Sequence, residues 1–376
     1  MRAIISGGGT GGHIFPAIAI ADKIMERWPD ASIKFIGAQG RMEMHRVPAA
    51  GYDIEGLWIS GLQRRLTLDN LSWPFKVVSS LVKARSIIAK FKPDVVIGVG
   101  GYASGPALKA AALAGVPTLI QEQNSYPGIT NKLLAKSADR ICVAYAGMDR
   151  WFAADKTVQT GNPVRSDMID IRIDRAAAVA TFGLDPSKAT VLVTGGSLGA
   201  RTLNQSLAGA VDQIAARADV NIIWQAGKYY IDEYSKSATA GLDHVTVLPF
   251  IKDMRAAYAA ADLVVCRAGA LTISELAIVG KPSILVPSPN VAEDHQTKNA
   301  MALVDAGAAM IVRDDVAVQQ MVSEMYRLID DEEQRRRIVD KIGAFARPQA
   351  TTDIVDEVAQ IAKSTFTNNG LTAQIS

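Results

Sequence analysis

One arrangement occurs twice in this chain, and it restricts the fold more than any single motif. Residues 4–13 read as a buried strand, a glycine loop and the start of a helix. Residues 191–201 repeat that order, with Gly195, Gly196 and Gly199 in the loop. A second pair follows the first. Asp94-Val95-Val96-Ile97 runs to Gly101, and Pro117-Thr118-Leu119-Ile120 comes after a helix ending at Gly115. Its counterpart is Asp262-Leu263-Val264-Val265 running to Gly269, with Pro282-Ser283-Ile284-Leu285 after Gly280. Such echoes predict two similar doubly wound α/β domains in tandem, each with a parallel sheet, rather than one long sheet.

The strand pattern agrees. Apolar runs at 3–6, 33–37, 95–98, 118–121 and 141–144 alternate with helical patterns such as 17–27 and 106–114. The alternation restarts with runs at 191–194, 222–225, 245–248, 263–266 and 283–286. Short apolar runs between amphipathic helices are the mark of strands buried on both faces. A breaker cluster, Gly161-Asn162-Pro163, follows a strand at 157–159 and marks the join. One more helical stretch, 353–363, precedes a tail that reads as frayed and polar. Two facing switch-point crevices would make the space between the domains the expected ligand site.

Composition removes several classes of function. Among 376 residues the net charge is only +2, which argues against a nucleic-acid partner. Cys142 and Cys266 lie in predicted strands without paired spacing, so they read as reduced, buried thiols of a cytosolic protein. The apolar start at 2–5 is too short for a signal peptide, and no apolar run is long enough to span a bilayer. Any membrane contact is therefore expected to be peripheral. There is no Asp-x-Asp, His-Glu-x-x-His or Cys-x-x-Cys, so no metal site is expected.

The loops carry the chemistry. Gly7-Gly8-Gly9-Thr10-Gly11-Gly12 follows the first strand and opens a helix. Glycines admit a ligand close to the backbone, and a helix amino terminus offers N–H groups to an anion. The spacing also fits a dinucleotide fingerprint. However, the second strand ends Gly37-Ala38-Gln39, without the acidic residue that holds a NAD ribose, which disfavours a dehydrogenase. His13 begins the first helix, and its usual pKa range suits proton transfer near neutral pH. General base and bland polar contact both remain open for it.

Gly100-Gly101-Tyr102-Ala103-Ser104-Gly105-Pro106 and Gln121-Glu122-Gln123-Asn124 each follow a strand and should line the same rim. For the second of these, a ligand role is favoured over a cap for the helix near Thr130. In the second half, Thr194-Gly195-Gly196-Ser197-Leu198-Gly199-Ala200-Arg201 is another anion-type loop. Gly269-Ala270-Leu271-Thr272-Ile273-Ser274-Glu275 opens a further helix, where Thr272 and Glu275 also fit a capping box. Arg165 follows the join, and a long loop at 287–296 contains Glu293, Asp294, His295 and Gln296. Residues 58–85 mix Trp58, Leu62, Leu66, Trp73 and Phe75 with Arg64, Arg65, Lys76, Lys83 and Arg85, a combination suited to an anionic membrane surface. For the later part a helix packing its apolar side on the core explains the pattern equally well, so the stretch around 62–73 is the better membrane candidate.

Taken together, the loops, Gly161-Asn162-Pro163-Val164-Arg165 and Ala268-Gly269-Ala270-Leu271-Thr272-Ile273-Ser274-Glu275 resemble the MurG family of N-acetylglucosaminyltransferases. They stand in that family's order from Gly7 to Glu275. The resemblance implies a GT-B fold, two Rossmann-like domains across a cleft, at residues 1–163 and 164–345. The first would face acceptor and membrane, and the second would hold UDP-GlcNAc. Residues 346–376 would form a helix crossing back to the first domain, with a frayed tail. It also implies inverting transfer of N-acetylglucosamine from UDP-GlcNAc to the undecaprenyl-linked muramoylpentapeptide, lipid I. That reaction would occur at the cytoplasmic face of the cell membrane, without a cofactor.

Residue by residue, His13 would be the first candidate for the base and Glu122 the second. Ile251 would meet uracil through its backbone and Glu275 the ribose hydroxyls. Ser197, Ala270, Leu271 and Thr272 would meet the diphosphate, with Ile273 and Ser274 in the same donor-binding segment, and Gln296 would meet sugar hydroxyls. Thr10, Gly11, Gly12, Asn124 and Arg165 would complete the site. His295 stands where some members of the family carry glutamine, so no sugar contact is carried over to it. Two rivals remain: a UDP-N-acetylglucosamine 2-epimerase on the same scaffold, and a non-catalytic nucleotide-sugar sensor.

Overall fold

The computed structural model describes residues 1–61, 72–196 and 198–372. The chain divides into two compact units, Met1–Arg165 with Arg347–Ser376, and Ser166–Ala346. Each is built on one parallel sheet.

In the first unit, β1 (Arg2–Ser6), β2 (Ser32–Ala38), β3 (Asp53–Leu57), β4 (Val95–Gly98), β5 (Thr118–Glu122), β6 (Arg140–Val143) and β7 (Thr157–Gln159) lie in the order β3-β2-β1-β4-β5-β6-β7. The second unit contains β8 (Ala189–Thr194), β9 (Val220–Gln225), β10 (Val245–Leu248), β11 (Leu263–Cys266), β12 (Ser283–Leu285) and β13 (Met310–Ile311). Their order is β10-β9-β8-β11-β12-β13. The two sheets therefore repeat one winding, with β8, β11 and β12 in the places of β1, β4 and β5. Each is a doubly wound α/β architecture, and the echoes in the sequence are its two copies.

Each first strand sits at the point where the strand order reverses, paired to its neighbours on both sides. Ser6 is level with Gly98, and Thr194 with Cys266. The loops leaving β1 and β4, and those leaving β8 and β11, thus start side by side at the carboxyl edge, where open α/β sheets place their ligands.

Burial explains why the apolar runs were readable. Ile4, Ile5, Val95, Val96, Ile97, Leu119, Ile120 and Ile141 are fully buried, as are Val191, Leu192, Ile222, Ile223, Leu263 and Val264. One face of the first sheet is covered by helices Trp73–Phe91 and Ser104–Leu113, through Ala84, Ile87, Ile88, Ala107 and Leu108. The other is covered by helix Gly11–Arg27, through Ile14, Ile20 and Ile24, and by the last helix. That helix runs Ala350–Thr372, further than the sequence pattern indicates, and buries Ile354, Val355 and Val358 against the first sheet. Ion pairs join it to the same unit, Arg140 to Glu357 at 2.8 Å and Arg27 to Asp356. Cys142 and Cys266 are buried and unpaired, and burial pushes the Cys266 thiol up to about 12.

No helix among the described residues is long and apolar enough to cross a membrane. Of the segment 58–85, Leu62, Arg64, Arg65 and Leu66 lie outside the described residues. Helix Trp73–Phe91 packs one face on the core and leaves apolar side chains exposed on another. Ser80, Ala84, Ile87 and Ile88 face the core, while Phe75, Val78 and Val82 are exposed at 73, 62 and 65 %. The exposed residues are spaced by one and two helical turns and so share a stripe. Trp58 is half exposed, with Lys76 Nζ 5.7 Å from its ring centre.

Candidate active site

In the first unit the glycine loop is held from three sides. Gly9 adopts a φ of +85°, a left-handed conformation that glycine supplies without a Cβ penalty. Gly8 and Gly101 come together so closely that a Cβ on Gly101 would stand 2.4 Å from the Gly8 carbonyl oxygen. The loops after β1 and β4 therefore pack backbone to backbone. Thr10 is the extended N-cap of helix Gly11–Arg27, and its carbonyl accepts from the His13 and Ile14 amides at 3.1 and 3.2 Å. Gly11 and Gly12 are the first helical residues, at the end that favours an anion.

His13 is half-buried at this end. Its Nδ1 lies 2.9 Å from the Gly8 carbonyl oxygen and 3.4 Å from Thr10 Oγ1. A carbonyl oxygen only accepts, so Nδ1 is the donor. In the neutral ring this makes Nε2 the basic nitrogen.

The third support was not visible in the sequence. Glu43 is completely buried, and its carboxylate accepts from the Gly9 amide at 2.9 Å and from the Ala38 amide at 3.0 Å. A Cβ on Gly8 would lie 2.1 Å from Glu43 Oε1, and one on Gly37 would lie 2.6 Å from Glu43 Cγ. Glycines in the loop after β1 and near the end of β2 therefore make the seat for this carboxylate. The glycines signal a close approach, but nothing in the spacing says what approaches.

The run after β5 departs from expectation. Both oxygens of Glu122 are taken up by its own loop. Oε1 accepts from the Asn124 amide at 3.0 Å and Asn124 Nδ2 at 3.2 Å, and Oε2 accepts from the Gly128 amide at 3.0 Å and Asn131 Nδ2 at 2.8 Å. Glu122 is 1 % exposed. A buried carboxylate with four donors anchors the loop and the start of helix Ile129–Leu134, so it is poorly placed as a base. The cap explanation set aside in the sequence is the better one for this residue. Gln121 and Gln123 are also internal: Nε2 of Gln121 donates to Asn162 at 3.0 Å, and Nε2 of Gln123 to the Val99 carbonyl at 2.8 Å. Asn124 is half-buried beside Glu122, and Arg165 is exposed at the end of the unit.

In the second unit Ser197 lies outside the described residues, but its neighbours are fixed. Gln225 Nε2 donates to the Gly196 carbonyl at 2.7 Å, and Gln225 Oε1 accepts from the Ile251 amide at 2.9 Å. One buried side chain thus ties the glycine loop to Ile251. Only the Ile251 carbonyl is left to meet a base, since its amide is already used and its side chain is buried.

Helix Ala270–Val279 starts with Gly269 as N-cap. The Ile273 amide donates to the Gly269 carbonyl at 3.0 Å, so the Ala270, Leu271 and Thr272 amides precede the helical ladder. Ile273 is committed to helix and core and Ser274 Oγ to the Ala270 carbonyl, so neither presents the group a phosphate needs. Thr272 lies inside the helix, so the capping box with Glu275 does not form. Glu275 is half-buried and accepts from the Tyr258 hydroxyl at 3.0 Å.

Gln296 Oε1 accepts from the Ser288 amide at 2.9 Å and braces the loop after β12. Glu293 and Asp294, just before His295, both have left-handed backbones, with φ of 55° and 51°. Two such residues in succession are strained, and strain of this kind gathers at ligand sites. Among the described residues no group of three or more His, Cys, Asp or Glu side chains could hold a metal ion.

Two family models cover these two half-sites. The glycosyltransferase family 28 N-terminal domain matches residues 3–143, and the family 28 C-terminal domain matches residues 190–351. The chain belongs to glycosyltransferase family 28. A family 28 relative from Cytophaga hutchinsonii is 55 % identical over 96 % of both chains. It is named as a UDP-N-acetylglucosamine–N-acetylmuramyl-(pentapeptide) pyrophosphoryl-undecaprenol N-acetylglucosamine transferase. The crystal structure of Acinetobacter baumannii MurG aligns with a TM-score of 0.75 at 30 % identity, over 96 % of this chain and 99 % of that one. A UDP-GlcNAc 2-epimerase from Neisseria meningitidis aligns with a TM-score of 0.66 at 13 % identity, over 96 % of this chain and all of the other, which shows a shared fold alone. In this family 28 chain Glu43, which opens a helix, and Glu122, which ends β5, both accept from backbone amides.

Proposed function

We propose that this chain is the inverting transferase that moves N-acetylglucosamine from UDP-GlcNAc to the C4 hydroxyl of undecaprenyl-diphospho-muramoylpentapeptide, giving lipid II and UDP. It is a glycosyltransferase by family, and its relatives' names supply both substrates. The observation that carries the mechanism is the 2.9 Å contact of His13 Nδ1 with the Gly8 carbonyl oxygen, which calls for the proton on Nδ1. Nε2 then takes the proton of the acceptor hydroxyl as oxygen attacks the anomeric carbon, and the bond from that carbon to the UDP phosphate oxygen breaks. The departing diphosphate is stabilised by the Ala270–Thr272 amides and the glycine loop after β8. The Ile251 carbonyl meets uracil N3–H, and Glu275, held by Tyr258, accepts from the ribose hydroxyls. Thr10, Gly11, Gly12, Asn124 and Arg165 bind the sugar and acceptor, and Gln296 meets sugar hydroxyls.

Incubation with labelled UDP-GlcNAc and a lipid I analogue should yield the labelled disaccharide. Epimerised UDP-sugar formed without acceptor would instead identify an epimerase. Binding is expected to be equally plain. UDP at a hundred times its Kd adds about 2.7 kcal/mol of stability to the unit that holds it. A melting temperature indifferent to UDP rules out the nucleotide site. Glu275→Ala should weaken UDP by about 10-fold or more through loss of charge-assisted hydrogen bonds, as read by calorimetry.

We also place the chain peripherally on the cytoplasmic face of the cell membrane. The support is the exposed Phe75, Val78 and Val82 stripe, with Lys83 and Arg85 on the same helix. A Phe75→Ser, Val78→Ser, Val82→Ser variant should lose at least ~10-fold in binding to vesicles containing anionic lipid, since each buried apolar side chain contributes about 1.5–3 kcal/mol. Undiminished vesicle binding removes this stripe from the membrane contact.

A further inference from the structure

The peptide bond joining Gly8 to Gly9 is held at both ends by side chains, one from the helix that follows the loop and one 34 residues away. Its N–H, on Gly9, donates to Glu43 Oε2 at 2.9 Å. Its carbonyl, on Gly8, accepts from His13 Nδ1 at 2.9 Å. The peptide is trans, so these two groups point in opposite directions. Glu43 and His13 are therefore linked through one peptide plane, with the carboxylate on one side and the imidazole on the other.

We propose that Glu43 is a positioning residue for His13, acting through the Gly8–Gly9 peptide, and this rests on His13 being the base proposed above. An anionic acceptor on an amide N–H makes a stronger bond than a neutral one. It also polarises the amide, so that the carbonyl at the other end becomes a better acceptor. The Gly8 oxygen then holds the imidazole proton on Nδ1 and keeps Nε2 as the basic nitrogen. In Ser-His-Asp sites a buried carboxylate does this by touching the imidazole directly. Here it does so with one peptide interposed.

Three features fit this role better than simple loop support. Glu43 is completely buried, where its charge acts through a weakly screening medium. Its second oxygen is pinned by the Ala38 amide at 3.0 Å, which fixes the carboxylate against β2. The chain also gives up a side chain at both Gly8 and Gly37 to admit it, because a Cβ at either would strike Glu43. A neutral glutamine in this seat has only one acceptor for the two amides, so its NH2 group would oppose one of them.

The test reads the imidazole itself. The chain contains four histidines, so nitrogen-15 labelling of histidine gives a simple spectrum in which His13→Ala identifies the His13 signals. At neutral pH the uncharged His13 ring of the unaltered protein should be the Nδ1–H tautomer. In Glu43→Gln it should shift toward Nε2–H, with kcat lower by on the order of 10-fold, the lower end of what removing a hydrogen-bond partner costs a metal-bound histidine, and with donor KM little changed. An Nε2–H tautomer in the unaltered protein overturns the proposal, and this needs no variant to fold. An unchanged tautomer in a folded Glu43→Gln protein also overturns it, whether or not kcat falls, since loop support alone would leave the ring as it was. Failure of the base assignment is seen separately, as near-normal turnover in His13→Ala.

Discussion

Replacing His13 with alanine should lower kcat by about 100- to 10,000-fold and leave donor KM within about twofold, the effect of removing a positioned general base. The asymmetry follows from where His13 sits. It stands at the amino end of the first unit's helix, fixed by Gly8 and Thr10, while the groups assigned to uridine and diphosphate are in the second unit. Steady-state kinetics with a lipid I analogue separate the two parameters. A variant with turnover within tenfold of the parent protein would make His13 a polar contact only, the other meaning its sequence position allows. Thermal unfolding of the same variant guards against a false result. His13 is half-buried, so the fold should lose little stability.

The second large effect concerns stability. Glu122→Ala should destabilise the first unit strongly. The substitution strips acceptors from the Asn124 and Gly128 amides and from the Asn124 and Asn131 side chains, all at a site that is nearly sealed. Each buried donor left without a partner costs about 1–3 kcal/mol. Loss of about 3 kcal/mol would lower the melting temperature of a unit this size by roughly 6–12 °C. Calorimetry should show the shift, and turnover measured well below the transition should fall less than tenfold. The reverse pattern, with a normal melting temperature and turnover down by 100-fold or more, would return Glu122 to the role of base.

Most of the fold was legible because its strands are buried on both faces. Runs such as Val95–Gly98 and Leu263–Cys266 have no polar face to blur them, and the structure keeps those limits. β3 escaped notice for the opposite reason. Asp53-Ile54-Glu55-Gly56-Leu57 is an edge strand whose first residues are exposed or half-buried, so it shows no continuous apolar run. β13 is only Met310–Ile311, too short to register as a pattern.

The site was legible where a loop must accommodate a ligand or a neighbouring backbone, since only glycine permits this and glycine can be read directly. It was not legible where a polar side chain is claimed by distant or local amides. Glu43 reaches the Gly9 amide 34 residues away, and no spacing rule records such a contact. Gln225 joins Gly196 to Ile251 by the same kind of long-range bond. Glu122 was misleading because a carboxylate ending a buried strand looks the same in sequence whether it faces a ligand or its own loop. The supposed Thr272–Glu275 capping box shows a register error: the helix begins at Ala270, which puts both residues inside it.

The last helix sets an order of events during synthesis. Ile354, Val355 and Val358 complete the packing beneath the first sheet, yet the ribosome makes them only after the whole of Ser166–Ala346. The amino-terminal half must therefore wait, with Ile14, Ile20 and Ile24 incompletely covered, while the later half emerges and can already close around its own sheet. The half translated first is the one finished last, and chains stalled before residue 350 would expose an oily surface for chaperones or proteases to find.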